Sequence, residues 1–237
     1  VRRLAAAIAA AALLGAGAPL VERLGGTRAA IVLPAGPPAG SVILLPGGST
    51  RTKIGPDGTP ESGNFVIRIR QSFVDAGFAI VYVEDPSNLA PVVARMRTIA
   101  RPVFYVGTSN GTAVATRSAV ALGAAGPDGI VLTSTVTGTS GQYPYNAAQA
   151  DLSRIVVPVL FVHNRNDDCP VSPAGGLAGL MARLPPATSV TRVDVSSDRT
   201  PNDPCGPFSP HGYLGIEDQV AASIVAWMRA HGAQGTP

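Results

Sequence analysis

Residues 103–111 read VFYVGTSNG: an apolar run, a serine between two glycines, and the start of a stretch of small residues. A serine hydroxyl is a weak nucleophile at neutral pH. It becomes a strong one when a base, usually histidine, removes its proton while a carboxylate orients that base. Ser109 has the G-x-S-x-G spacing of a nucleophile elbow, a strand-to-helix turn sharp enough to lift the hydroxyl above a sheet. Gly107 and Gly111 are needed there because the helix leaves so close to the strand that side chains would collide. A glycine-rich loop could carry the same pentapeptide in a chain with 27 glycines. The strand-like run before it and the helix-like run after it favour the elbow.

Three histidines are available as the base. His231 stands in a C-terminal segment expected to fray. His163 follows a strand and is read as structural, hydrogen-bonded behind an acid. His211, in CGPFSPHGYLG (205–215), lies between the last strand and the last helix, where a base for Ser109 belongs. The acid must come from LFVHNRNDDC (160–169). Asp167 and Asp168 both follow a strand within a few residues, and either could reach His211.

At 237 residues, with 46% hydrophobic and 14% charged residues, the chain suits one α/β domain with a substantial core. The net charge is +3, and without Arg2 and Arg3 it is 3 − 2 = +1. Lys53 is the only lysine, and no basic cluster marks a nucleic-acid surface. The opening VRRLAAAIAAAALLGAGAPL has a basic start, an uncharged Ala/Leu stretch and the small-residue pattern Ala16-Gly17-Ala18. That is the pattern of an export signal covering residues 1–18, leaving 19–237 as the mature domain in the periplasm or outside the cell. Because no charge interrupts residues 4–21, an uncleaved anchor is the competing reading, and the only one that predicts stable membrane association. Two cysteines, Cys169 and Cys205, suit an oxidising compartment and can pair if the fold brings them together. A metal site would need more ligands than the histidine near Cys205 supplies.

The elements that must position these residues are legible as short apolar runs bounded by Gly and Pro. Strands are expected at 29–33, 41–45, 78–83, 103–106, 129–133, 158–162 and 190–195. Helices are expected from Asn64 to Gly77, and at 89–100, 112–122, 175–184 and 215–231. Residues 47–63 read as a loop, and 136–155 as at most a small lid. Strands alternating with helices imply a mainly parallel sheet covered on both faces, with sites at the carboxyl ends of the strands.

The sequence as a whole resembles the α/β-hydrolase superfamily, and in particular small exported bacterial serine hydrolases without a cap domain. The resemblance is carried by LLPGGS, GNFVIRIR, VEDPSN, VGTSNG, VHNRNDDC and PHGYLG, in that order along nearly the whole mature chain. It implies a Ser-Asp-His chain order. The acid in such proteins commonly stands four residues after a strand-end histidine, in an H-G-x-x-D pattern. His163-Asn164-Arg165-Asn166-Asp167 has that spacing with asparagine for glycine, which favours Asp167 over Asp168. The resemblance also implies a Cys169–Cys205 disulfide tying the acid loop to the histidine loop. It implies an oxyanion hole from the backbone N–H of Asn110 and a second N–H in the Pro46-Gly47-Gly48-Ser49 turn, Gly48 ahead of Ser49. Pro46 stands where a histidine is common. Asn64 is read as a helix cap that could also wall the site. The loop Asp85-Pro86-Ser87 leads into a segment that looks short for such a protein, so the pocket should be open on that side. The expected activity is hydrolysis of small-molecule carboxylic esters with no cofactor or metal. Peptidase or acyltransferase chemistry, or an exported binding protein without turnover, are the alternatives.

Overall fold

Along Ser41–Leu45, Val42 and Leu44 point to one side while Ile43 and Leu45 point to the other, and every residue of the run is buried. A strand apolar on both faces must be covered on both, which places it centrally in a sheet flanked by helices. The computed structural model describes residues 17–139, 145–198 and 203–232. Residues 1–16, which hold most of the expected export signal, lie outside the described residues, as do 140–144 within the expected small lid and the tail 233–237.

In chain order the elements are β1 (Leu20–Leu24), β2 (Thr27–Val32), β3 (Ser41–Leu45), β4 (Lys53–Ile54), β5 (Pro60–Glu61), α1 (Phe65–Arg68), α2 (Arg70–Asp75) and β6 (Ala79–Val83). They continue as α3 (Ala90–Ile99), β7 (Val103–Thr108), α4 (Asn110–Leu122), β8 (Gly129–Thr133), β9 (Val159–Asn164), α5 (Ala174–Met181), β10 (Val190–Val195) and α6 (Glu217–Gly232). Eight strands form one sheet in the order β1-β2-β6-β3-β7-β8-β9-β10. β1, β2 and β6 pair antiparallel, and β6 through β10 run parallel. The alternation of side chains divides the core into two layers. One packs Ile43, Leu45, Tyr105, Ile130 and Phe161 against α3, α4 and α5. The other packs Val42, Leu44, Phe104 and Val131 against α1, α2 and α6, whose Trp227 meets Phe104 edge-on.

From β3 the chain crosses to β6 on one side and returns to β7 on the other, so the strand order reverses between β3 and β7. At such a switch point the loops leaving adjacent strands diverge, and a crevice opens at their carboxyl ends. The Gly47-Gly48 turn follows β3 and Ser109 follows β7, so both expected pieces of chemistry arrive at that crevice.

Several boundaries differ from those read in the sequence. The expected helix from Asn64 breaks at Ile69 into α1 and α2, with the Ile67 carbonyl accepting from the Arg70 guanidinium at 2.8 Å. The expected loop 47–63 contains the small β4–β5 hairpin. β1 was not foreseen, because Leu20 and Val21 continue the apolar leader. In the fold it is an edge strand paired to β2, with both residues exposed. β9 runs on to Asn164, so His163 sits inside a strand, and His231 lies in the last turn of α6. No helix among the described residues is long and apolar enough to cross a membrane.

Candidate active site

The turn from β7 into α4 forces Ser109 to φ 54° and ψ −126°, left-handed backbone that L-residues rarely adopt. Holding a serine there costs about 1–3 kcal/mol, which the surrounding contacts must offset. They do so through the backbone. Ser109 N–H donates to the Thr133 carbonyl at 3.1 Å, and the Ser109 carbonyl accepts from Thr112 N–H at 2.8 Å and Thr112 Oγ1 at 2.6 Å. The glycines are needed by contact: a Cβ on Gly111 would run into the Leu45 carbonyl, and one on Gly107 would lie 2.8 Å from the Gly111 carbonyl. Gly47 presses on the serine from the other side, where a Cβ would come within 2.7 Å of Ser109 Cβ.

His211 and Asp167 meet across two loops. His211 Nδ1 lies 2.9 Å from Asp167 Oδ2, with the histidine side chain 4% and the aspartate side chain 0% exposed. Asp168 is exposed, so the carboxylate that reaches His211 is Asp167. Asp167 Oδ1 accepts from Cys169 N–H at 3.0 Å, and Oδ2 accepts also from Ser172 Oγ at 2.9 Å. Ser172 Oγ stands 3.1 Å from His211 Nδ1 as well. Its single proton goes to the carboxylate, so it can only accept from Nδ1. The network therefore assigns the ring proton to Nδ1 and leaves Nε2 as a lone pair. That Nε2 is buried and without a partner among the described residues, and His211 and Ser109 line the same cavity.

The histidine loop is tied to the sheet by groups that sequence reading passed over. Tyr213, at left-handed φ 58°, is fully buried; its hydroxyl donates to the Val162 carbonyl at 2.7 Å and accepts from Ser134 N–H at 2.8 Å. Burial pushes that phenol's pKa well up, so it remains a neutral donor. Ser134 Oγ donates to the His211 carbonyl at 2.6 Å, and Asn164 Nδ2 to the Pro210 carbonyl at 2.9 Å. Asparagine in place of glycine after His163 is thus a tether between the β9 end and the His211 segment. Arg68 donates to the carbonyls of Pro207 and Gly212, each at 2.7 Å, and pairs with Glu217 at 2.9 Å. The Cys169–Cys205 disulfide is present and joins the acid and histidine loops as expected.

The crevice is a cavity of about 320 Å³ lined by Ser109, His211, Gly48, Ser49, Asn64 and Arg51 among others. Asn64 does both things expected of it: its Oδ1 caps α1 by accepting from Val66 N–H at 3.4 Å, and its side chain walls the cavity. Asn110 Nδ2 donates to the Gly48 carbonyl at 2.7 Å, fixing the β3 turn to the head of α4. Asp85, Pro86 and Ser87 line a separate cavity of about 440 Å³ that shares Arg51 as a wall with the first.

The other two histidines are not brought into the site. His231 stacks on Trp227 at 4.4 Å, and its Gly232 neighbour lies near Pro102 at the amino end of β7. His163 is buried as expected of a structural residue, but the expected hydrogen bond is not made: both ring nitrogens are buried without a partner among the described residues. Burial holds its pKa below the ordinary histidine value, against the pull of Asp167 and Asp194 and with the help of Arg192 and His211. Asp167, Cys169 and His211 bring ligand-type atoms within 4.8 Å of one another, but the sulfur is in the disulfide and the carboxylate and imidazole are bonded to each other.

No protein-family model matches the chain, and no curated protein matches it in sequence. Solved structures do. Est1E from Butyrivibrio proteoclasticus superposes with a TM-score of 0.64 at 12% identity, covering 92% of this chain and 100% of its own. An α/β serine hydrolase without lid from Xanthomonas campestris gives 0.58 at 14% identity, over 93% of this chain and 96% of its own. A thermostable carboxyl esterase from Bacillus coagulans gives 0.56 at 14% identity, over 90% and 97%. The strand order and these likenesses show that the chain has the α/β-hydrolase fold. Within it, the elements resolve into the form with no separate lid domain among the described residues.

Two outcomes are expected from this geometry. Tyr213→Phe removes a buried hydroxyl that bridges the Ser134 N–H and the Val162 carbonyl, which keep their own bond at 3.2 Å, so the denaturant midpoint should fall by an amount worth about 1 kcal/mol; an unchanged midpoint would show that the phenol does not hold the loop. His163 is neutral when folded and takes up a proton at about pH 6.5 when unfolded. Its contribution to stability is therefore present above that pH and lost as pH falls. His163→Gln should lose less stability between pH 7.5 and pH 5 than the parent chain in urea titrations, and equal losses would contradict the assignment.

Proposed function

We propose that the protein is a serine hydrolase of carboxylic esters, with Ser109 as nucleophile, His211 as base and Asp167 as its orienting acid. The observation that carries this reading is the unpartnered Nε2 of His211 in the same cavity as a serine held in a strained turn, with Nδ1 already committed to Asp167. In this reading Ser109 Oγ attacks the ester carbonyl as its proton passes to Nε2. The imidazolium, stabilised by Asp167, returns the proton to the leaving alcohol as the carbon–oxygen bond breaks. Water then attacks the acyl-serine by the same route, releasing the acid and restoring the hydroxyl. The N–H of Asn110, with that of Gly48 or Ser49, would receive the charge that builds on the carbonyl oxygen.

The fold is shared by enzymes with other acceptors and leaving groups, so the choice of ester rests on the site. The cavity is open, and no separate domain covers it among the described residues, which suits small or exposed esters. A disulfide between the two loops supports an exported, periplasmic or secreted protein.

A fluorophosphonate probe should label Ser109 covalently, and the label should vanish in His211→Ala. A folded protein that takes no label would remove the hydrolase reading and leave a binding protein. Asp167→Asn should lower kcat by about 10⁴-fold, the cost of a wrong histidine tautomer. Asp168→Asn should leave it within about twofold; the reverse pattern would move the acid by one residue.

A further inference from the structure

The larger cavity beside the catalytic one has no role in the chemistry described so far. It is about 440 Å³ and runs along α4, between that helix and the loop 85–89. Its apolar lining comes from Leu89, Val114, Ala121 and Leu122, and its charged lining from Arg51, Asp85 and Arg117. Arg51 is paired with Asp85 at 2.7 Å. Arg117 makes no ion pair or hydrogen bond among the described residues, and its guanidinium lies 4.7 Å over the ring of Tyr145. Stacking on a ring uses the face of a guanidinium and leaves its N–H edge free for an anion. The cavity thus carries one cation more than it neutralises.

Position links it to the nucleophile. Arg51 lines both cavities, so they are neighbours with that side chain as their common wall. Arg117 lies eight residues after Ser109 along α4, which at about 1.5 Å per residue separates their backbones by roughly 12 Å. Helical side chains lean toward the amino end, which brings the guanidinium nearer to Ser109.

We propose that this cavity is a subsite for a carboxylate at the far end of the substrate's acyl chain, so that the preferred esters are half-esters of medium-length dicarboxylic acids. Val114 and Leu89 receive the methylenes, and Arg117 receives the carboxylate in a charge-assisted hydrogen bond. The inference rests on Ser109 being the nucleophile for its kinetic form, but the anion site itself stands on the cavity and Arg117 alone.

The test uses the mono-p-nitrophenyl ester of octanedioic acid and its neutral counterpart, in which the far carboxylate is a primary carboxamide. The parent protein should favour the carboxylate about tenfold in kcat/KM, and the preference should shrink as salt is raised. Arg117→Gln should bring the ratio to about one, with the larger loss of kcat/KM falling on the carboxylate ester. A ratio near one in the parent, or an unaltered ratio in the variant, would overturn the proposal. If neither ester is cleaved, the hydrolase reading fails, and titration calorimetry with octanedioate decides the anion site separately. Binding by the parent that is weakened about tenfold in Arg117→Gln would support it, and no binding, or equal binding, would overturn it.

Discussion

The structure turns on how closely α4 passes the end of β3. Gly111 lies so near the Leu45 carbonyl that no side chain fits between them, and Gly47 lies as near to Ser109. That approach is possible because β3 and β7 are neighbours in the sheet, with the strand order reversing between them. It fixes the serine in left-handed backbone and sets the Gly48 turn beside Asn110 through one amide hydrogen bond. Ser109 and the candidate oxyanion donors are thus placed by backbone packing.

Asp167 and His211 are held in a different way. Asp167 stands in a loop and His211 in a single 3₁₀ turn, Pro210–Gly212, and these segments are tied down by polar side chains: Asn164 from β9, Ser134 after β8, and Tyr213 from the histidine segment itself. Arg68 and the disulfide close the outer side. Asn164, Ser134 and Arg68 give partners to backbone carbonyls of the histidine segment, as buried carbonyls require. The serine in the acid loop, Ser172, then sets which nitrogen of His211 is protonated.

This division explains what the sequence made legible. The strands, the helices and the elbow follow from apolar periodicity and from glycines whose spacing has a steric cause, so their positions could be read within a few residues. Ser109, Asp167, His211 and the cysteines follow from residue type and order. The supporting groups had no such signal. Arg68 looked like part of a solvated helix face, yet its guanidinium reaches across more than a hundred residues of chain to the histidine loop. Tyr213 was visible only as the residue two beyond the histidine. β1 was hidden because an exposed edge strand and the end of an apolar leader have the same composition. For His163 the expectation of a hydrogen bond came from its polarity, while its place in β9, with the parity of Val159 and Phe161, put it in the apolar layer.

Backbone packing and side-chain ties also differ in how they fail. Moving the elbow means separating β3, β7 and α4, which lie in the centre of the sheet and share the main core. Moving the histidine loop means breaking a handful of hydrogen bonds at the sheet's edge, each worth about 1 kcal/mol net. Local opening should therefore begin in the acid and histidine loops and leave the elbow intact. The disulfide lies at the point where such an opening would separate Asp167 from His211, and joins loops 36 residues apart in sequence. Its physical effect falls on the less firmly held half of the site, the half that carries the bonded pair of Asp167 and His211.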